Sequence, residues 1–304
     1  MYYFIVNPVS RSGKGMEVWE QTEKTLIEKD IPYKVYFTQH TGHGTSLAKG
    51  LYNKIQNQTL VIIGGDGTVN EVLTGLPMDG TYTIGYIPVG SGNDFARGLG
   101  LPTDPIIALE NILSDKPAST IDIGTLKTNQ GISHFGISSG IGYDAAVCEK
   151  VATSRLKKIL NKIHLGNLVY AYAAVRSLFG FHPCDMDIEI DDFKKLHYKK
   201  VYLIVAMNLP YEGGGFRMCP EADATNKELH FLVVRGVPKI ALLFLFPTAY
   251  FGKHLMIPGI FILKGKKLRV HSKQPQCVHR DGEVPEHTDT LTWNIEEQIL
   301  HIKR

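Results

Sequence analysis

Cysteine is scarce in this chain. The four cysteines, Cys148, Cys184, Cys219 and Cys277, are widely scattered and include no CxxC pair. That scatter reads as reduced thiols in a cytosolic protein, not as a zinc site or a disulfide framework. Long apolar runs are also missing. The most apolar stretch, Ile240–Phe251, is interrupted by Pro247 and falls well short of the ~20 residues a spanning helix needs. Any membrane contact is therefore expected to be peripheral. The N-terminal Met1–Val6 has neither a basic flank nor a small-residue cleavage site, so it reads as a first strand and not as a signal peptide. Charge of one sign is nearly balanced by the other, 33 Lys and Arg against 30 Asp and Glu. A net +3 is too small to argue for nucleic acid, and is compatible with an anionic ligand or an anionic membrane face. There is no internal repeat and no low-complexity tract.

The 43% apolar and 21% charged content fits a globular protein, and the length suits two medium domains or one large one. Up to about Thr120 strands and helices alternate: strands at Tyr2–Val6, Tyr33–Phe37, Leu60–Ile63 and Thr83–Pro88, helices at Met16–Glu28, Thr45–Ile55, Thr68–Leu76 and Ile106–Leu113. This spacing implies a doubly wound, mostly parallel α/β domain over 1–120. Beyond it the pattern changes to short strand-like runs: Ile121–Thr125, Ile132–Ser138, Asp185–Ile190, Val201–Asn208, Leu229–Val234, Lys267–His271, Thr290–Ile295 and Ile299–Lys303. They predict a largely antiparallel β domain over 121–304, with helical insertions near Leu156–Phe179 and Pro238–Phe251. The C-terminal tail could pack back on the first domain.

The run Leu60-Val61-Ile62-Ile63-Gly64-Gly65-Asp66-Gly67-Thr68-Val69-Asn70-Glu71 carries the most information. A buried strand delivers a glycine turn to a helix start, which brings bare backbone N–H groups and the positive helix end together as a phosphate cradle. Glu71 stands where a capping box wants an acid. Asp66 inside such a cradle would repel phosphate unless a cation lies between, so the run asks for a nucleoside triphosphate with Mg²⁺. The competing reading is a tight turn with Asp66 as a helix cap.

Two other loops follow strands and can converge with it, because ligands of open α/β sheets bind at the carboxyl ends of the strands. Asn7-Pro8-Val9-Ser10-Arg11-Ser12-Gly13-Lys14-Gly15 lacks the P-loop spacing, but Asn7 and Ser10 offer hydrogen bonds. Gly90-Ser91-Gly92-Asn93-Asp94 is a second glycine turn with hydroxyl, amide and carboxylate groups. Far along the chain, Arg280-Asp281-Gly282-Glu283 reads either as a hairpin turn or as a base, Glu283, with Asp281 orienting it or binding metal.

Taken in order, these segments resemble the bacterial diacylglycerol kinase family, whose catalytic domain is shared with sphingosine and ceramide kinases. The matching residues are Asn7-Pro8 with Ser10 and Gly13, Thr41, Gly64–Glu71, Pro88–Asp94, Ile121-Asp122, Gly213-Gly214-Gly215-Phe216 followed by Pro220 and Ala222, and Asp281-Gly282-Glu283. The resemblance spans nearly the whole chain. It implies an α/β nucleotide domain beside a β-sandwich with the active site between them. It also implies ATP held by Asn7, Ser10, Thr41, Gly64, Gly65, Asp66, Gly67, Thr68, Asn70, Gly90, Ser91 and Asn93. Asp66, Asp94 and Asp122 would surround Mg²⁺, with Asp66, Asp281 and Glu283 as catalytic residues and Glu283 as proton acceptor.

The family often has Thr where this chain has Ser91. Many members place Asp-Gly where this chain has Asn226-Lys227, in a loop holding a second, structural Mg²⁺. Asn226 is a weaker ligand for which Asp223 compensates only in part. The expected activity is phosphorylation of a lipid hydroxyl, diacylglycerol to phosphatidic acid first, at the inner membrane face and without nucleic acid. Other glycerolipids and sphingoid bases stay open, as does a homodimer. A NAD kinase-like enzyme and a non-catalytic nucleotide-binding regulator are the alternatives. The segment Arg155–Lys162 and the apolar Leu243–Phe246 are the candidate membrane contacts.

Overall fold

The computed structural model describes residues 1–153, 175–296 and 299–304. The chain divides into two units, Met1–Ile123 with Glu296–Arg304, and Gly124–Ile295.

The first unit is built on a six-stranded sheet. Its strands are β1 (Tyr2–Val6), β2 (Tyr33–Phe37), β3 (Thr59–Gly64), β4 (Thr83–Pro88), β5 (Ser119–Ile121) and β15 (Leu300–Ile302), in the order β2-β1-β3-β4-β15-β5. The first four run parallel, with Phe4 opposite both Val35 and Val61. The intervening helices are α1 (Lys14–Glu28), α2 (His43–Leu51), α3 (Asp66–Gly75), α4 (Asp94–Leu99) and α5 (Pro105–Leu113). Strand β3 is apolar on both faces because both are covered, as a parallel sheet requires. On one face Val61 and Ile63 pack with Phe4, Val18, Trp19 and Leu26, and the Trp19 and Phe4 rings meet edge to face at 5.2 Å.

The second unit is a nine-stranded sheet, antiparallel throughout its pairings. Its strands are β6 (Gly124–Thr128), β7 (Gly131–Phe135), β8 (Ser138–Gly142), β9 (Cys184–Ile190), β10 (Lys194–Met207), β11 (Leu229–Arg235), β12 (Ile260–Gly265), β13 (Lys267–Arg280) and β14 (Glu283–Ile295). Helix α6 (Tyr143–Thr153) follows β8. The alternation of side chains along a strand splits β10 between two cores. Leu203, Val205 and Met207 join one, and Val201, Ile204 and Ala206 the other.

Several sequence expectations are corrected. The run Ile121–Thr125 is broken into β5 and β6, and Ile132–Ser138 into β7 and β8. Strand β12 adds a strand where the sequence predicts none. The final segment lies in the first unit, an arrangement already open in the sequence: β15 pairs parallel with β4 and antiparallel with β5, filling the gap between them. The domain limits 1–120 and 121–304 shift accordingly. The insertion near Pro238–Phe251 is two short helices, Lys239–Leu242 and Leu245–Tyr250. The other insertion falls mostly outside the described residues, except a helix at 175–180. No helix of the described residues is long and apolar enough to cross a membrane.

Candidate active site

In the first unit a glycine turn follows β3 and leads into a helix. Gly65 is extended and α3 begins at Asp66. A Cβ on Gly64 would meet Thr68 Oγ1 at 2.5 Å, and one on Gly65 would meet Gly90 Cα at 3.0 Å. A Cβ on Gly90 would meet Gly65 Cα at 2.8 Å and Asn93 Oδ1 at 2.7 Å. The two glycine turns therefore touch backbone to backbone. The Val89 N–H donates to Gly64 O at 2.7 Å, and the Tyr86 hydroxyl to the same oxygen at 3.2 Å.

Asn7 follows β1 and lies in the same neighbourhood. Its backbone N–H donates to Ile63 O at 2.9 Å, and its Nδ2 donates to Thr68 Oγ1 at 3.1 Å. Its Oδ1 is buried without a hydrogen-bond partner among the described residues, and so is Oδ1 of Asn93. A buried acceptor left unmade costs about 1–3 kcal/mol, and here two stand at the ends of β1 and β4. Ser10 closes the first loop by donating its backbone N–H to Asn7 O at 3.2 Å. Thr41 is exposed in the loop before α2, and Asn70 is buried on α3.

Asp66 is a helix cap, though not of its own helix. Its carboxylate accepts from the backbone N–H groups of Asp94 at 3.0 Å and Phe95 at 3.1 Å, the start of α4, where a negative charge is favoured. Asp94, 4% exposed, accepts from Arg97 Nη1 at 2.5 Å. Both carboxylates bear on Tyr86: burial first, then the charges of Asp66 and Asp94, push its hydroxyl well above the ordinary tyrosine pKa. Asp122 is 2% exposed just after β5. Glu71 corrects the capping-box expectation. Its two oxygens accept the N–H groups of Gly42 at 2.8 Å and Gly44 at 2.9 Å, so it caps α2 from the neighbouring helix.

In the second unit, β13 and β14 meet in a two-residue turn with positive φ at Asp281 (46°) and Gly282 (84°), the backbone that tight hairpins require. The Asp281 carboxylate accepts three backbone N–H groups, Gly136 at 3.0 Å, Ile137 at 2.8 Å and Ser138 at 3.0 Å. It fastens the hairpin tip to the segment leading into β8. Glu283, the first residue of β14, is exposed. Sequence reasoning gave no role to Arg280 or His279. Burial lowers the pKa of Arg280 against the pull of Asp281, Glu286 and Glu283, and its Nε is buried without a partner among the described residues. His279 is wholly buried, hydrogen-bonded to Asp144 and 3.5 Å from Glu212. Nothing in the local sequence marks it, because its partners lie far away in the chain.

Asp223 and Asn226 are spent on local turns. Asp223 Oδ1 accepts from the Thr225 N–H at 3.0 Å and its hydroxyl at 2.8 Å, and Asn226 Oδ1 accepts from the Glu228 N–H at 2.9 Å.

Both units have counterparts among known proteins. Residues 1–126 match the family described as "Diacylglycerol kinase catalytic domain". Residues 137–302 match "YegS C-terminal NAD kinase beta sandwich-like domain". The Bacillus subtilis protein YtlR is 28% identical over 288 residues, 93% of each chain. A diacylglycerol kinase of Mycobacterium tuberculosis is 30% identical over 227 residues, 74% of this chain and 70% of its own. A crystal structure of a diacylglycerol kinase from Bacillus anthracis shares the fold, with a TM-score of 0.72 at 21% identity, over 99% of this chain and 96% of that one. An NAD kinase from Archaeoglobus fulgidus in complex with ATP shares it more distantly, with a TM-score of 0.53 at 11% identity, over 100% of this chain and 94% of that one. The chain belongs to the diacylglycerol kinase family of lipid kinases, and it is a kinase.

Proposed function

We propose that the protein transfers the γ-phosphoryl group of ATP to a lipid hydroxyl, with diacylglycerol as the first candidate and phosphatidic acid as its product. The observation that carries the nucleotide half is the pair of unpartnered buried amide oxygens, Asn7 Oδ1 and Asn93 Oδ1, beside the backbone contact of Gly65 and Gly90. In the reaction the lipid oxygen bonds to the γ-phosphorus, the bond to the β-phosphate oxygen breaks, and ADP leaves. Glu283 takes the proton of the attacking hydroxyl. The glycine turns and the start of α3 supply backbone N–H groups to the phosphates.

The carboxylates of Asp66, Asp94 and Asp122 suit a hard cation. These residues would hold Mg²⁺, which when bound would neutralise charge on the phosphate oxygens.

Substituting Gly65→Val should weaken ATP binding directly, since its side chain would be driven into the Gly90 backbone. Calorimetry on the folded variant is expected to show at least a tenfold loss. Unchanged affinity would count against the cradle.

The lipid half rests on exposed apolar side chains of the second unit. Ile240, Phe244, Tyr250, Phe251 and Met256 are all more than half exposed. Phe251 stacks edge-on against Tyr250, and Lys239 Nζ reaches Phe179 O at 3.0 Å, bringing a sixth exposed apolar residue alongside. Lys253 adds positive charge, as an anionic leaflet favours. Of the earlier candidates, Arg155–Lys162 lies outside the described residues. In Leu243–Phe246, Leu243 packs on the core, Phe244 is exposed, and the side chains of Leu245 and Phe246 are not described.

The test is ATP turnover on mixed vesicles with mass spectrometry of the extracted lipid. Phosphorylated diacylglycerol is the expected product, and ATP turnover indifferent to lipid would refute the reading. Each apolar side chain withdrawn from water contributes ~1.5–3 kcal/mol. The double variant Phe251→Asp, Met256→Asp should therefore lower vesicle binding and turnover tenfold or more while leaving ATP affinity intact. A double variant that still binds vesicles like the parent would place docking on another surface.

A further inference from the structure

Three metal-ligating side chains meet on the second unit, on the stem of the hairpin and not at its tip. Cys277 on β13 and His287 on β14 face each other directly across the hairpin stem, and Glu149 approaches from α6. Cys277 Sγ is 2.9 Å from His287 Nε2 and 3.4 Å from a Glu149 oxygen. The other Glu149 oxygen is 3.6 Å from His287 Nε2. One ligand atom from each residue lies within 4.8 Å of both others.

We propose that Glu149, Cys277 and His287 form a site for a Zn²⁺-class divalent cation, with water completing the coordination. Typical Zn–S, Zn–N and Zn–O bonds in a tetrahedron set ligand atoms roughly 3.4–3.6 Å apart. The separation of Cys277 Sγ from one Glu149 oxygen, 3.4 Å, already matches, His287 Nε2 lies 3.6 Å from the other oxygen of the same carboxylate, and the sulfur–nitrogen pair at 2.9 Å must open by about half an ångström. The donor set selects the metal: a thiolate and an imidazole suit a borderline-soft ion and repel the choice of Mg²⁺. This is therefore a different site from the carboxylate set proposed for the kinase reaction. Half-exposed His287 and Glu149 (50% and 42% of their side chains) leave a path for the ion and a place for its water.

Without metal, burial and the hydrogen bond to the Glu149 carboxylate hold the Cys277 thiol protonated, its pKa pushed up to about 12. Binding exchanges that S–H proton for an S–metal bond, so one proton leaves to solvent for each ion bound at neutral pH. The bound ion would cross-link α6 to the stem of the hairpin. The sequence hides the site because the ligands come from three elements, with no short spacing to betray them.

The experiment is titration of the full-length protein with Co²⁺, a spectroscopic substitute for Zn²⁺, in the absence of nucleotide. One equivalent should bind with a thiolate-to-cobalt charge-transfer band, be displaced by Zn²⁺, and release about one proton near pH 7. Cys277→Ser should abolish the band. His287→Gln, a change at a half-exposed side chain that the fold should tolerate, should weaken binding at least tenfold. Cys184→Ser should leave the spectrum unaltered. Absence of a thiolate band, or a band that survives Cys277→Ser or keeps its affinity in His287→Gln, overturns the proposal.

Discussion

Glu283→Gln is expected to abolish most of the turnover while leaving ATP affinity and the fold intact. The glutamine keeps the size and an acceptor oxygen of the glutamate but cannot take up a proton. Loss of a positioned general base typically costs ~10²–10⁴-fold in rate, and the loss should fall on kcat with little change in the KM for lipid. The hairpin that presents the residue should not move. Its shape is set by the positive φ values of Asp281 and Gly282 and by the three N–H groups that the Asp281 carboxylate accepts.

Asp281→Asn makes the contrast. Removing that charge weakens hydrogen bonds that an ionised acceptor makes about twice as strong as neutral ones, so stability and turnover should fall together. Calorimetry with ATP, thermal unfolding and turnover on diacylglycerol vesicles separate the two. A Gln variant with the parental rate on a lipid that the parent phosphorylates would remove Glu283 from the mechanism.

What the sequence discloses and what it hides divide by distance along the chain. Strand β10 is legible because Val201–Met207 is buried on both faces and reads as one apolar run. Strand β8 is not, since Ser-Ser-Gly-Ile-Gly has the composition of a turn. One of its two glycines is demanded by neighbours: a Cβ on Gly140 would meet His279 Nε2 at 2.5 Å and Asp144 Oδ2 at 2.6 Å. The glycine turns at Gly64–Gly67 and Gly90–Asn93 are legible because strand, turn and helix start are contiguous.

Roles set from outside the segment are not legible. Glu71 has the right type and place for a capping box, yet it serves α2 because Gly42 and Gly44 present their N–H groups to it. Asp66 caps α4 for the same reason. The contacts of His279 with Asp144 and of Cys277 with Glu149 join β13 to α6, and no spacing rule spans such a separation.

The second large effect concerns His279 and the pH dependence of stability. Its ring is fully buried. Desolvation alone would lower its pKa, but the charges of Asp144 and Glu212, the hydrogen bond to Asp144 and the field of Asp281 outweigh it and raise the value to about 9 from the ordinary 6.5. The folded protein thus holds this proton more tightly than the unfolded chain. The stabilisation is complete below about pH 6.5, declines as the pH rises, and is gone above about 9, a total of roughly 3 kcal/mol. His230 and His254 do not blur that window. Burial lowers both, so they titrate on its acid side.

His279→Gln removes the buried cation and leaves the partly buried carboxylates of Asp144 and Glu212 facing each other. Breaking a buried pair this way typically costs ~3–5 kcal/mol, so the variant should be far less stable than the parent at pH 6.5. Because it has no proton to lose, its stability should then stay nearly level up to pH 9 while the parent falls toward it. Urea unfolding at half-unit steps from pH 6 to 9.5 measures both curves. A parent whose stability is flat across that interval, or a variant that keeps the parental slope, would show that His279 is neutral in the folded protein. In the opposite case the same proton ties together Glu212, just ahead of the Gly213–Phe216 segment, Asp144 at the start of α6 and the strand leading to Glu283. Turnover should then decline over the same alkaline range as stability, below the temperature at which the parent unfolds.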